Sequence, residues 1–285
     1  MLFKELCCTL ALSLADALDP PFEYRINVTT LPQVLCLGDS IGGPSCNAAI
    51  SDPRLKGKLE LHSIYSFASS NDTQLHNSMG ARNLHKCVDD WLIGRCLPGE
   101  TRPPCPKPQL RWRSVVLGAG AWDLFSRPCC IMNEERIAQL VGDVRNTVNL
   151  ALRHAETAVW MTTTPAPEHA GCCRDPTRNY SGRAHLYNTS NYGGSIGYCH
   201  HDAIEQNARV AAMLKASFST NRVAIADTYS AVTRRCGTQY RDCAVQPQFD
   251  VLGRAHVCQV HFTGSSFGEV HGPAVARALA GLLGL

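Results

Sequence analysis

The apolar positions of this chain fall into short runs that alternate with longer stretches of helical period. Residues 31–37 are mostly apolar, and their unbroken part, Val34-Leu35-Cys36-Leu37, stops at Gly38. A run of that kind, ended by a turn former, predicts a strand buried on both faces. Residues 58–66, 114–118, 157–163 and 222–227 predict four more strands, and Pro165 stops the run at 157–163. Helical spacing appears in 83–93 (Leu84, Val88, Trp91, Leu92) and in 133–154 (Ile137, Leu140, Val141, Val144, Val148, Leu152). It appears again in 202–218 (Ile204, Ala208, Ala211, Ala212, Leu214) and in 273–283. Strands alternating with helices predict an α/β domain whose sheet is mostly parallel and covered on both faces. Residues 94–111 and 165–198 are rich in turn formers and cysteine and read as loops, the second as an insertion at the sheet's edge. Long ordered loops often line binding sites.

Composition narrows the class. The chain has 285 residues, of which 45% are apolar and 18% charged, enough for one large α/β domain with a sizeable core. A formal charge of +3, without a basic run, excludes the electrostatic footprint of a nucleic-acid binder. Lys4, the apolar stretch 6–15 and Ala15-Asp16-Ala17 predict a secretory signal, residues 1–17, followed by a single domain, 18–285. The alternative is an amphipathic N-terminal helix. The stretch is too short for a stable membrane span. Four sequons, at Asn27, Asn71, Asn179 and Asn188, predict glycosylation on a secretory route.

The 15 cysteines point the same way. Removing Cys7 and Cys8 with the signal leaves 13, an odd number, so at least one thiol stays unpaired or joins another chain. Cys36, inside the first strand, is the expected free one. Cys129-Cys130, Cys172-Cys173 and Cys199-His200-His201 lack the spacing of a structural zinc site, so disulfides are expected and no metal.

The chemistry centres on Gly38-Asp39-Ser40. Open parallel sheets bind ligands beyond the carboxyl ends of their strands, and this tripeptide follows the first strand directly. A serine hydroxyl needs a base to become a nucleophile. Of 11 histidines the best placed is His261, just before the final helix, with His256 and His271 as competitors. Ser40 and Asp39 could instead simply cap a helix start.

Four blocks in order carry a family resemblance. Residues 34–41, containing Gly38-Asp39-Ser40, resemble the first block of the GDSL/SGNH hydrolases. Asn77-Ser78-Met79-Gly80 resembles the second, Leu117-Gly118-Ala119-Gly120-Ala121-Trp122-Asp123-Leu124 the third, and His261-Phe262-Thr263-Gly264 the fourth. Residues 204–214, with Asn207, look like the family's penultimate helix. Residues 77–92, with Cys87 and Trp91, and Gly120-Ala121-Trp122-Asp123 are similar to the PC-esterase branch. The resemblance implies a three-layer α/β sandwich around a five-stranded, flavodoxin-like sheet, and a cofactor-free serine esterase. Ser40 would be the nucleophile and His261 the general base. The N–H groups of Ser40 and Gly80 would form the oxyanion hole. The expected substrate is a small acyl ester or an acylated carbohydrate, such as an O-acetylated glycan.

Two positions depart from the family pattern. Trp122 stands where the third block has asparagine, and an indole N–H would be a third oxyanion donor of different reach. Cys258 stands where the fourth block has its acid, leaving Asp250, Asp123 or Glu269 as candidate partners for His261, or a Ser–His dyad held by a backbone carbonyl. These departures support a rival reading, an impaired relative that binds a glycan or protein in the same crevice. A disulfide-stapled interaction domain is the third reading.

Overall fold

Five of the predicted runs form one sheet: β1 (Gln33–Gly38), β2 (Glu60–Tyr65), β3 (Trp112–Gly118), β4 (Ala155–Met161) and β5 (Val223–Ala226). The computed structural model describes residues 31–39, 41–65, 88, 92–93, 111–120, 134–165, 200–237, 248–249, 255–256 and 267–285. The strand order is β2-β1-β3-β4-β5 and every neighbouring pair is parallel. This is the flavodoxin-like order, and β1 is where the chain switches from building one side of the sheet to building the other. The expected α/β class and five-stranded parallel sheet are what the structure contains.

Alternation along the strands sorts the core into two layers. Leu35 and Leu37 of β1 join Val115 and Leu117 of β3 on one face, against α2 (Glu134–His154) and α3 (His200–Ser217). Val34 and Cys36 join Val116 and Val159 on the other face, against α1 (Gly42–Ala49) and α5 (Gly272–Leu283). Both layers exclude water, so the sandwich is held by apolar burial on two faces at once. Val88 and Leu92, predicted on a helical face, are helical and fully buried in the first layer.

The buried face of α2 runs Ile137, Leu140, Val144, Thr147, Val148, Ala151, close to the predicted stripe. That of α3 matches the predicted stripe only at Leu214. Ile204 is 47% exposed, while Ala203, Gln206, Val210 and Leu214 face inward. The reason is polar: Gln206 turns in to hydrogen-bond Thr163, rotating the helix away from the face its apolar residues alone would select.

Two helices were not legible as helices. Gly42-Gly43-Pro44 opens α1 with poor helix formers, although proline is tolerated in a first turn. α4 (Thr228–Cys236) is short and rich in Thr and Ser, and stands on its cap: Asp227 accepts a 2.9 Å hydrogen bond from Ser230 N–H. A two-residue antiparallel pair, β6 (Gln248–Phe249) with β7 (Ala255–His256), precedes a π turn, Phe267–His271, that leads into α5. The described residues from Pro32 onward belong to one compact unit. The expected signal segment and the four sequons lie outside the described residues. Among the described residues, no helix is long and apolar enough to cross a membrane.

Candidate active site

The first and third sequence blocks meet where β1 and β3 end. Gly38 pairs in register with Gly118, and Asp39 N–H donates to Gly118 C=O at 3.1 Å, carrying the pairing one residue past the strand. α1 starts directly above them. A Cβ on Gly38 would lie 2.8 Å from Gly118 O, and one on Gly42 would lie 3.0 Å from the same oxygen. Only hydrogen at these positions lets two strand ends and a helix start share so little space.

Asp39 builds the turn. One of its carboxylate oxygens accepts from the N–H groups of Ile41 and Gly42, each at 2.9 Å. Its carbonyl accepts from Gly43 N–H at 3.1 Å. The free N–H groups at the start of α1 are thus taken by Asp39 from ahead of the helix, and Ile41, in the formal cap position, offers no side-chain acceptor. Burial pushes the Asp39 carboxyl up to about 6, against the pull of these N–H bonds, which favour the charged form. Its acceptor oxygen is committed to backbone, so Asp39 is a turn former.

Beside this turn lies a small crevice of about 20 Å³, lined by Asp39, Ile41 and Gly42, by Gly118 and Ala119, and by residues 161–164 at the end of β4. Its far wall is threonine-rich and fixed by hydrogen bonds. Thr162 Oγ1 accepts from Tyr229 N–H at 2.9 Å. Asn207 treats Thr163 as a strand treats its neighbour, accepting from its N–H at 2.9 Å and donating to its carbonyl at 2.8 Å. Gln206 Nε2 donates to Thr163 Oγ1 at 2.7 Å. The same two side chains constrain the third block: Gly120 has φ +128°, and a Cβ there would lie 2.5 Å from Gln206 Nε2 and closer still to Thr163 Oγ1.

Cys36, expected as the free thiol, is bonded to Cys46, with a Cα–Cα distance of 6.3 Å inside the normal disulfide range. Strand alternation turns Cys36 to the face that α1 covers, and the second turn of α1 brings Cys46 over it. The bond joins the strand before Ser40 to the helix after it. Cys236, at the end of α4, is also disulfide-bonded.

His271 is fully buried, with Nδ1 2.9 Å from Ser45 Oγ, and burial pushes its imidazole down to about 3. It is therefore neutral and enclosed, unsuited to receive a proton from a nucleophile at the crevice. Glu269 is exposed on the π turn, 3.8 Å from Arg235 of α4. Ser40, Gly80, Trp122, Asp123, Asp250, Cys258 and His261 lie outside the described residues, and His256 is described only as part of β7. Among the described residues no group of three or more His, Cys, Asp or Glu could hold a metal ion. The sequence reading missed Gln206, Thr163 and Ser45. For Gln206 a signal existed: it stands four before Val210 and three after Ala203 on one helical stripe.

No family model matches this chain, and no curated protein does either. Solved structures of similar chain course do exist. Axe2, an acetylxylan esterase from Geobacillus stearothermophilus, is 13% identical with a TM-score of 0.47, over 89% of this chain and 94% of that one. A carbohydrate esterase family 3 protein from Talaromyces cellulolyticus is 13% identical with a TM-score of 0.45, over 89% and 99%. A GDSL-like lipase from Bacteroides thetaiotaomicron is 14% identical with a TM-score of 0.42, over 87% and 88%. These are likenesses of chain course alone and say nothing of what this chain binds.

Proposed function

We propose that this chain is a secreted serine esterase, a hydrolase of the GDSL/SGNH kind acting on a small acyl ester or an acylated carbohydrate. One observation carries the reading: residues 38–39 and 118–120, from two separate sequence blocks, converge at the switch point of a parallel sheet, where such folds hold ligands. Ser40 follows Asp39 in the sequence. Asp39 already occupies the helix-start N–H groups that a capping serine would serve, which favours a chemical role for Ser40 over a capping one.

In this reading Ser40 Oγ attacks the acyl carbonyl while His261 takes its proton. The tetrahedral oxyanion is held by N–H groups of Ser40 and Gly80, with Trp122 as a third donor. Collapse breaks the ester bond, the alcohol leaves with the proton from His261, and acyl-Ser40 remains. Water then attacks acyl-Ser40, giving up a proton to His261, and the acid departs as Ser40 recovers its proton. Asp250 or Asp123 would orient His261, or a backbone carbonyl would do so. Glu269 is a weaker choice, since its exposed carboxylate faces Arg235. The bonded Cys36–Cys46 pair and the bonded Cys236 fit an oxidising, secretory compartment.

The test is hydrolysis of a short-chain aryl ester by the mature chain made in an oxidising host. Ser40→Ala is expected to lower kcat by at least about a thousandfold. Full activity in Ser40→Ala would rule the nucleophile out. The substitutions at Trp122 and Cys258 keep one other reading open, a binding protein without turnover. No ester hydrolysis, together with retained glycan binding, would establish that one.

A further inference from the structure

We infer that His271 is a positioning residue: through Ser45 it sets the nucleophile turn against the π turn that leads into the final helix. The inference rests on the esterase reading above and adds a residue that the four sequence blocks do not contain.

Ser45 and His271 are both fully buried and lie 226 positions apart in the chain, joined at 2.9 Å between Oγ and Nδ1. Ser45 has one hydroxyl proton, and its Oγ lies 2.6 Å from Ile41 C=O, to which it donates. The His271 bond must then run the other way, Nδ1–H donating to Ser45 Oγ. Ile41 is the residue after Ser40, and its peptide groups are held at both ends: N–H by Asp39, C=O by Ser45. His271 is thus one hydrogen bond from the group that anchors Ile41, the residue following the proposed nucleophile.

His271 is equally fixed on its own side. It closes the π turn Phe267–His271, which begins six residues after His261. The next residue, Gly272, lies against α1 so closely that a Cβ there would meet Ala48 C=O at 2.9 Å. An extra residue in a helical turn redirects the chain before it, and such turns recur at functional sites.

An apolar pair at 45 and 271 would also pack α1 on α5. A hydrogen bond differs in being directional, and a buried one is costly to leave unmade. It therefore selects one register of α1 on the π turn where dispersion would tolerate several. A nucleophile and its base need that register, because a misplacement of about 1 Å can cost on the order of a hundredfold in rate.

The test compares Ser45→Ala, His271→Leu and His271→Asn in the full mature chain. Asn keeps an N–H donor near the Nδ1 position, whereas Leu keeps volume only. The readouts are kcat and KM on the aryl ester and the rate of Ser40 labelling by a fluorophosphonate. Ser45→Ala and His271→Leu are expected to lower kcat and labelling by about tenfold to a hundredfold with KM within about twofold. The double variant should be no slower than either single one, as for partners in one interaction. His271→Asn should recover to within about threefold of wild type. Labelling of Ser45→Ala at the wild-type rate overturns the role, and so does a His271→Asn as slow as Ser45→Ala. If His271→Leu does not fold, Ser45→Ala against His271→Asn decides alone. A wild-type chain that neither hydrolyses nor labels refutes the esterase reading itself, and this role with it.

Discussion

The charge on Asp39 is the local conflict of the turn. The backbone needs its oxygen, which accepts from the N–H groups of both Ile41 and Gly42. The surrounding glycines and strand ends exclude water, leaving Asp39 5% exposed, so its ionised form is disfavoured. Its carboxyl rises from 3.8 to about 6 in the fold, so the native state binds the proton more tightly than the unfolded chain does. The contribution of Asp39 to stability is therefore fully present below about pH 4 and is lost as pH rises through about 6, by about 3 kcal/mol in all. Asp39→Asn keeps an acceptor oxygen for the two N–H groups and has no charge to bury. Urea denaturation from pH 4 to 7.5 should find the variant increasingly more stable than wild type as pH rises. A difference that is constant over that range would exclude the ionisation of Asp39 as its source.

At the scale of elements, what the hydrophobic pattern predicts and what forms differ where polar side chains take over. All five strands and the long α2 stand where their apolar periodicity places them. α1 has almost no such signal, and its existence depends on the Asp39 bonds, the Cys36–Cys46 link and the contact of Gly272 with Ala48. α3 faces inward with Gln206, whose amide holds Thr163 against the exit of β3. Gly120 lies at the centre of that arrangement, with φ +128° and the Thr163 and Gln206 side chains where a Cβ would go. Gly120→Ala should cost about 2–4 kcal/mol, through backbone strain and displacement of two buried polar groups. Thermal or urea denaturation measures it. A loss below about 0.5 kcal/mol would mean that the turn relaxes freely.

At the scale of the whole domain, the Cys36–Cys46 bond closes a short loop that contains the proposed nucleophile and ties β1 to its covering helix. For a loop of this size the entropy removed from the unfolded chain is worth about 3 kcal/mol. The double variant Cys36→Ala, Cys46→Ala should lower the unfolding free energy by that amount under oxidising conditions. Dithiothreitol should destabilise wild type through this bond and leave the variant unchanged at this site. Equal stability of the two oxidised proteins would show that the bond adds nothing to packing already in place.

The sequence by itself determined the strands, the α/β class, the parallel arrangement and Ser40 as the candidate centre. Each of these follows from local pattern: apolar runs ended by turn formers, helical stripes between them, and a Gly-Asp-Ser turn after the first strand. Tertiary structure decided the rest. It paired Cys36 with Cys46, because the partner of a strand residue depends on which helix covers its face. It turned Gln206 inward, because a hydrogen bond to Thr163 outweighs the exposure of Ile204. It enclosed His271 against Ser45, removing one of three candidate bases and giving it a different task. Contacts between residues 10, 43 and 226 positions apart have no periodicity to read, since they exist only once the sheet and its two helical layers have closed around them.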